Sequence, residues 1–182
     1  MDLVSKREKI ITLRINEVSY DVIREFAKNH GLSVNAYLNS IIDSQAEWFI
    51  PTSSYNAVTV PKSMVAVLFS LANKESLEEL AKRWAAESKN IILLSGAEPG
   101  IESVLDFARR VSKYFMGTDI RMNFRGRDSI NAAVYAVIRH DAGENFSYFI
   151  DQAFDHLFQI MKIKAFVNHD ETTVFIKIEN AG

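Results

Sequence analysis

The 182-residue sequence contains no cysteine, so neither a disulfide bond nor a thiolate metal site can form. It has no run of about 18 apolar residues to span a bilayer, and its polar N-terminus does not resemble a signal peptide. A Walker loop, a Rossmann glycine pattern, a HExxH helix and a GxSxG elbow are also missing. We therefore expect a cytoplasmic, soluble protein that is not an enzyme and carries no cofactor.

What the sequence does contain is a short alternating strand followed by two short amphipathic helices. In residues 9–16 the side chains alternate with a period of two, as a half-buried strand requires. The inward set is Ile11, Leu13 and Ile15, and the outward set is Ile10, Thr12 and Arg14. An ordinary edge strand shows the same alternation. One strand and two short helices cannot close a core, however, so this segment predicts pairing with a second copy of itself.

Capping residues and apolar stripes define the two helices. Ser19 is predicted to cap the first helix, which ends at Gly31, and Ser33 is predicted to cap the second. The inward residues are Tyr20, Ile23, Phe26 and Ala27 in the first helix, and Tyr37, Leu38, Ile41 and Ile42 in the second. Because Leu32 alone separates Gly31 from Ser33, the helices must turn sharply against each other.

This ordered set resembles the ribbon-helix-helix family of DNA-binding proteins, of the MetJ, Arc and CopG type, over about the first quarter of the chain. The resemblance implies that two chains pair their strands antiparallel and insert the ribbon into the major groove. The base-reading residues would then be Ile10, Thr12 and Arg14. Arg14 suits a bidentate contact to guanine, and Thr12 suits a hydrogen bond or a thymine methyl. Ile10 departs from the polar residue usual at the first position and offers only apolar contact.

The resemblance also implies a phosphate site at the start of the second helix. Ser33, Val34 and Asn35 would present unpaired amides and the positive end of the helix dipole to the DNA backbone. Such contacts set the register without reading sequence. Ser33 would serve as a helix cap in any case.

Charge limits the kind of DNA binding to expect. The formal net charge is -2 and the pI is near 6.1, which does not favour general coating of nucleic acid. Up to residue 16, four cationic side chains oppose two acidic ones, and a dimer doubles this local excess. The sequence therefore predicts sequence-specific, salt-dependent binding of double-stranded DNA.

The rest of the chain is predicted to be a second domain. We expect domains at residues 1–50 and 51–182, joined near residues 50–54, where a proline and a polar run interrupt the pattern. The first part of this domain predicts a strand at 55–60, helices at 61–71, 76–88 and 99–117, and a short strand or buried turn at 91–94.

In the last third of the sequence, the pattern of apolar residues predicts two strands, then a helix, then two more strands. The strands cover residues 120–124, 132–138, 163–167 and 172–178, and the helix covers 146–161. This order is typical of an antiparallel sheet covered on one face by helices, so the fold class is α+β. The apolar arc of the 146–161 helix is wide enough to indicate either a sandwiched core helix or a dimer interface.

Three histidines in this domain are candidate metal ligands or pH sensors. His140, His156 and His169 lie 16 and 13 residues apart, with no Cys or carboxylate pattern between them, which favours unrelated surface or capping roles. Residues 140–144 are predicted to form a strand-to-helix turn that uses Gly143. Residues 121–127 interleave arginine with an aromatic residue, which suits either a solvated hairpin face or a contact to an anion or nucleic acid.

Two functions from different classes follow. The first is a homodimeric transcriptional regulator, such as a repressor, whose second domain fixes a dimer or dimer of dimers or senses a small-molecule effector. The second is an antitoxin-like or other protein-interaction module that captures a protein partner through its second domain. The globular second domain favours the first function, because antitoxins of this type usually resemble the N-terminal segment followed by a short, poorly ordered tail.

Overall fold

The computed structural model describes residues 9–53, 60–96, 98–113, 119–125 and 133–179. The chain divides into two compact units, Met1–Gln45 and Ala46–Gly182. The sequence placed the boundary nearby, between residues 50 and 51. The fold class is α+β, as predicted, with an antiparallel sheet in the second unit. None of the described helices is long and apolar enough to cross a membrane.

The first unit consists of helices α1 (Glu17–Asn29) and α2 (Val34–Ser44). The predicted cap of α1 was wrong, since Asn16 rather than Ser19 occupies the capping position. The Asn16 side chain accepts a hydrogen bond of 2.8 Å from the Ser19 amide. Asparagine is among the strongest capping residues, so the helix begins two residues before Ser19. The predicted cap of α2 is confirmed, because Ser33 Oγ accepts a bond of 3.1 Å from the Ala36 amide.

Helical structure also occupies the segment that we predicted to be a linker. Gln45–Phe49 is a π-helical stretch and α3 (Ile50–Thr52) is a short α-helix, in which Thr52 is buried. Pro51 has no N–H to donate to the residue four positions earlier, so the series of α-helical hydrogen bonds is interrupted there. Trp48, in this stretch, belongs to the core of the second unit.

Three longer helices follow: α4 (Lys62–Leu71), α5 (Lys74–Leu94) and α6 (Ile101–Val111). Helix α4 agrees with the predicted helix at 61–71, but α5 starts earlier and ends later than its prediction. Asn73 caps it by accepting a bond of 2.8 Å from the Ser76 amide. The predicted strand or turn at 91–94 was wrong, because the buried stripe of α5 continues at helical spacing. That stripe is Leu77, Ala81, Ala85, Ser88 and Ile92.

The sheet has four antiparallel strands in the order β1, β2, β4, β3. They are β1 (Asp119–Arg125), β2 (Ala133–Arg139), β3 (Ala165–His169) and β4 (Thr173–Glu179), each close to its predicted position. The predicted join at Gly126 and nearly all of the predicted strand at 55–60 lie outside the described residues. Asp170 closes the turn between β3 and β4, where its carboxylate accepts a bond of 2.9 Å from the Thr172 amide. This bond holds the pKa of Asp170 below its usual range.

Helix α7 (Glu144–Ile160) lies at the centre of the second unit. It packs against α5 and also against α4, β3 and β4. Its wide apolar arc is therefore core, which decides between the two interpretations of the sequence. The buried apolar residues of α7 are Phe146, Phe149, Ile150, Ala153, Phe154, Leu157 and Phe158.

A polar side chain joins the start of α7 to the end of α4. Asn145 Nδ2 donates to the carbonyl oxygens of Phe69 and Ala72, at 2.9 and 3.0 Å. Phe69 lies in the last turn of α4 and Ala72 is the residue that follows the helix, so Asn145 satisfies carbonyl groups at the helix end, where intrahelical donors run out. The Phe69 ring also contacts Phe146 and Phe149 of α7, with centroids 4.8 and 5.0 Å apart.

Candidate nucleic-acid interface

The predicted base-reading residues Ile10, Thr12 and Arg14 are all exposed. In the single chain, residues 9–15 form no strand, and the predicted separation into an inner and an outer face is not present there. Ile11 is 69% exposed and Leu13 is 57% exposed, although both were predicted to face a core. A strand requires a neighbour to complete its backbone hydrogen bonds, and the described residues of the single chain provide none at this position.

The turn between α1 and α2 is defined in detail. Gly31 has φ +66°, and the Leu32 amide donates to the Ala27 carbonyl at 2.9 Å while the Gly31 amide donates to the Lys28 carbonyl at 3.2 Å. These two bonds form a Schellman motif, which the left-handed glycine permits. The turn therefore sets where α2 begins relative to the end of α1.

An aromatic stack reinforces this turn. The Phe26 ring lies between the His30 and Tyr37 rings, at centroid distances of 3.9 and 4.6 Å. His30 Nδ1 also lies 2.8 Å from the Phe26 carbonyl oxygen. Stacked rings are worth about 0.5–1.5 kcal/mol beyond the area that they bury, so this stack helps to fix α2 against α1.

The start of α2 has the geometry of an anion-binding helix terminus. Ser33 Oγ is already bonded to the Ala36 amide, whereas Val34 and Asn35 lie in the first turn, where amides lack intrahelical acceptors. Val34 is half-buried and Asn35 is exposed. The three predicted phosphate-binding residues thus lie side by side at the positive end of the helix dipole.

The first unit has almost no core of its own. Among its described residues, 9–45, Ala27 is the one buried residue. Large apolar side chains are exposed along its whole length, and these are Ile10, Ile11, Leu13, Val18, Tyr20, Val22, Phe26, Leu32 and Ile42. Monomeric proteins rarely expose apolar surface so extensively, so this unit has the character of an interface.

The three candidate histidines of the second unit do not form a metal site. No group of three or more His, Asp or Glu side chains suited to a metal ion occurs in the described parts of the chain. His169 Nδ1 lies 2.5 Å from the Asp151 carboxylate, and His156 Nε2 is buried without a hydrogen-bond partner. The histidines therefore have separate surroundings.

His140 stabilises the turn from β2 to α7. Its Nδ1 accepts a bond of 3.3 Å from the Ala142 amide, so the neutral ring carries its proton on Nε2 and donates to Ser147 Oγ at 2.8 Å. Gly143, with φ +85°, lies in the same turn, as the sequence predicted. The Ser147 contact was missed by sequence reasoning, because it depends on how the end of β2 meets the first turn of α7.

Sequence reasoning also missed an exposed row of aromatic side chains on the sheet. Tyr135, Phe166 and Phe175 lie on the face opposite α7. Alternation along each predicted strand was sufficient to find them, but only the strand order brings the three together.

In comparisons with protein-family models and with curated proteins, nothing matches this chain.

Proposed function

We propose that this protein is a homodimeric, sequence-specific DNA-binding regulator in which residues 9–16 of two copies pair as an antiparallel ribbon. The observation that carries the proposal is the exposure of Ile11 and Leu13 in a unit that buries only Ala27 among its described residues. A second copy supplies both the missing strand partner and the apolar cover.

Pairing would divide the strand into two faces. Ile11 and Leu13 would turn toward the helices of both copies, which leaves Ile10, Thr12 and Arg14 on the outside of the ribbon. A two-stranded ribbon fits the major groove, where Arg14 would donate two hydrogen bonds to a guanine. The amides of Val34 and Asn35 would bind phosphate on either side and set the register.

The second unit would hold the assembly together or bind a small-molecule effector that alters DNA affinity. If an effector exists, linkage requires that DNA also change the affinity for that effector by the same factor.

The experiment begins with selection of duplexes from a random-sequence pool by the full-length protein. Fluorescence anisotropy over a salt series then compares the wild type with Arg14→Ala and with Arg83→Ala. Arg83 is a matched control, because it is an exposed arginine on α5 paired with Glu79. We expect Arg14→Ala to cost about 1–3 kcal/mol, confined to one base position, and Arg83→Ala to cost nothing. Equal binding by all three proteins at every salt concentration contradicts base recognition by the ribbon.

A second candidate function is capture of a protein partner, as in an antitoxin-like module. The observation that favours it is the outer surface of α4, where four large apolar side chains are exposed: Met64, Val67, Leu68 and Leu71. A partner bound there would be lost on Leu68→Asp while DNA binding persisted, which separates the two functions.

A further inference from the structure

The face of the sheet opposite α7 combines exposed aromatic rings with cations. On the covered face, Ala136, Ile138, Val174, Ile176 and Ile178 are buried. On the opposite face, Tyr135 is 38% exposed, Phe175 46% and Phe166 55%.

The strand register brings the three rings together. Lys177 of β4 pairs with Tyr135 of β2 on one side and with Phe166 of β3 on the other. Phe175 precedes Lys177 by two residues on the same face and so lies diagonal to both rings. Same-face neighbours are about 5 Å apart across strands and about 7–8 Å apart on the diagonal. The three rings therefore form one continuous surface, which we call the aromatic platform.

Two cationic side chains, Lys177 and Arg139, lie on the same face of the sheet as the aromatic platform. Lys177 Nζ lies 5.7 Å from the Phe166 ring centroid, and Arg139 is exposed at the end of β2. Glu179, the acidic residue on this face of β4, is paired with Lys164 at 2.7 Å and with Lys177 at 3.6 Å. Asp170 and Glu171 lie in the turn beyond the strands.

From this combination we propose that the aromatic platform binds single-stranded nucleic acid. Unpaired bases stack on exposed aromatic rings without regard to sequence, while Lys177 and Arg139 contact the phosphates. A duplex hides the faces of its bases, so the platform discriminates against duplex. This site is distinct from the ribbon of the first unit and does not depend on it.

The test uses the full-length chain and fluorescein-labelled 15-mers of thymidine and of uridine, which separate DNA from RNA. Anisotropy is measured at low salt for the wild type, Phe166→Leu, Phe175→Leu, Lys177→Ala and the control Arg83→Ala. Leucine preserves apolar area but removes the flat ring. We expect each leucine variant to bind roughly 5- to 150-fold more weakly, as the loss of one stacked base predicts. We expect Lys177→Ala to reduce the salt slope by about 0.7 and Arg83→Ala to bind as the wild type does.

Circular dichroism and thermal melts verify that the variants remain folded, which half-exposed positions should allow. If the wild type binds neither oligonucleotide, the proposal is overturned. Full affinity in both leucine variants overturns it as well. The leucine variants could instead change the oligomeric state of the protein without changing its affinity for the oligonucleotides. That result assigns this face of the sheet to self-association and also overturns nucleic-acid binding.

Discussion

Truncation of Leu13 should weaken self-association far more than truncation of an equally exposed leucine elsewhere. Complete burial of a leucine side chain is worth about 1.5–3 kcal/mol, and Leu13 is 57% exposed in the single chain. Complete burial of Leu13 in a dimer would therefore contribute about 1–1.7 kcal/mol per copy to the free energy of association, and both copies contribute. Leu13→Ala should therefore raise the dimer dissociation constant by roughly 30- to 300-fold.

Leu68→Ala is the matched control, because Leu68 of α4 is 58% exposed and the substitution is the same. Sedimentation equilibrium over a range of protein concentrations gives the dissociation constant for each protein. If the wild type is monomeric at every concentration, or if both variants weaken the dimer equally, the ribbon is not the self-association site.

Three further predictions concern the second unit and are measured by urea unfolding. Ser147→Ala removes the hydrogen bond between Ser147 Oγ and His140 Nε2 and should cost about 0.5–1.5 kcal/mol, whereas no loss would show that this bond is not stabilising. Gly143→Ala should cost about 1–3 kcal/mol from its backbone conformation alone (φ +85°, ψ 174°), because a Cβ there meets no atom within 4 Å; an unchanged midpoint would contradict this reason. Asp170 has a lowered pKa in the folded state. Its contribution to the free energy of unfolding is therefore fully present above its ordinary pKa of 3.8, and it disappears as the pH falls through the lower pKa of the folded state. Asp170→Asn should make the free energy of unfolding depend less on pH in that window. A pH profile identical to that of the wild type would refute this.

The strands and α7 were predictable because their patterns are local. Alternation locates β2 and β4, and the long apolar arc locates α7, within about two residues of their observed bounds. The sheet order was not predicted, since pairing is decided by contacts between residues far apart in the sequence.

The errors also have local causes. At α1, Asn16 caps the helix and Ser19 supplies the bonded amide, so the serine was mistaken for the cap. At α5, Asn73 and Ser76 are related in the same way, and the helix was predicted to start at residue 76. The run from Ile91 to Leu94 was ambiguous because a short apolar stretch suits a strand as well as a helix end.

The candidate interface was predictable only as a pattern of residue types. Ser33 occupies the predicted capping position, and Ile10, Thr12 and Arg14 are exposed as expected. Strand pairing would place these three side chains on one face and Leu13 on the other. Because that pairing requires a second chain, it remains a prediction. The contact between His140 and Ser147 depends on how β2 meets α7, which residue types alone do not specify.

The two bonds from Asn145 give α4 a distinct place in the dynamics of the second unit. Helix α4 leaves four large apolar side chains in solvent, while the Asn145 amide and the Phe69 ring hold its last turn against α7. Local opening draws on segments with few buried contacts, so we expect α4 to open more readily than α7. Its amides should exchange with solvent hydrogen sooner than those of α7. Asn145 thus contributes to how firmly this helix is held on the second unit.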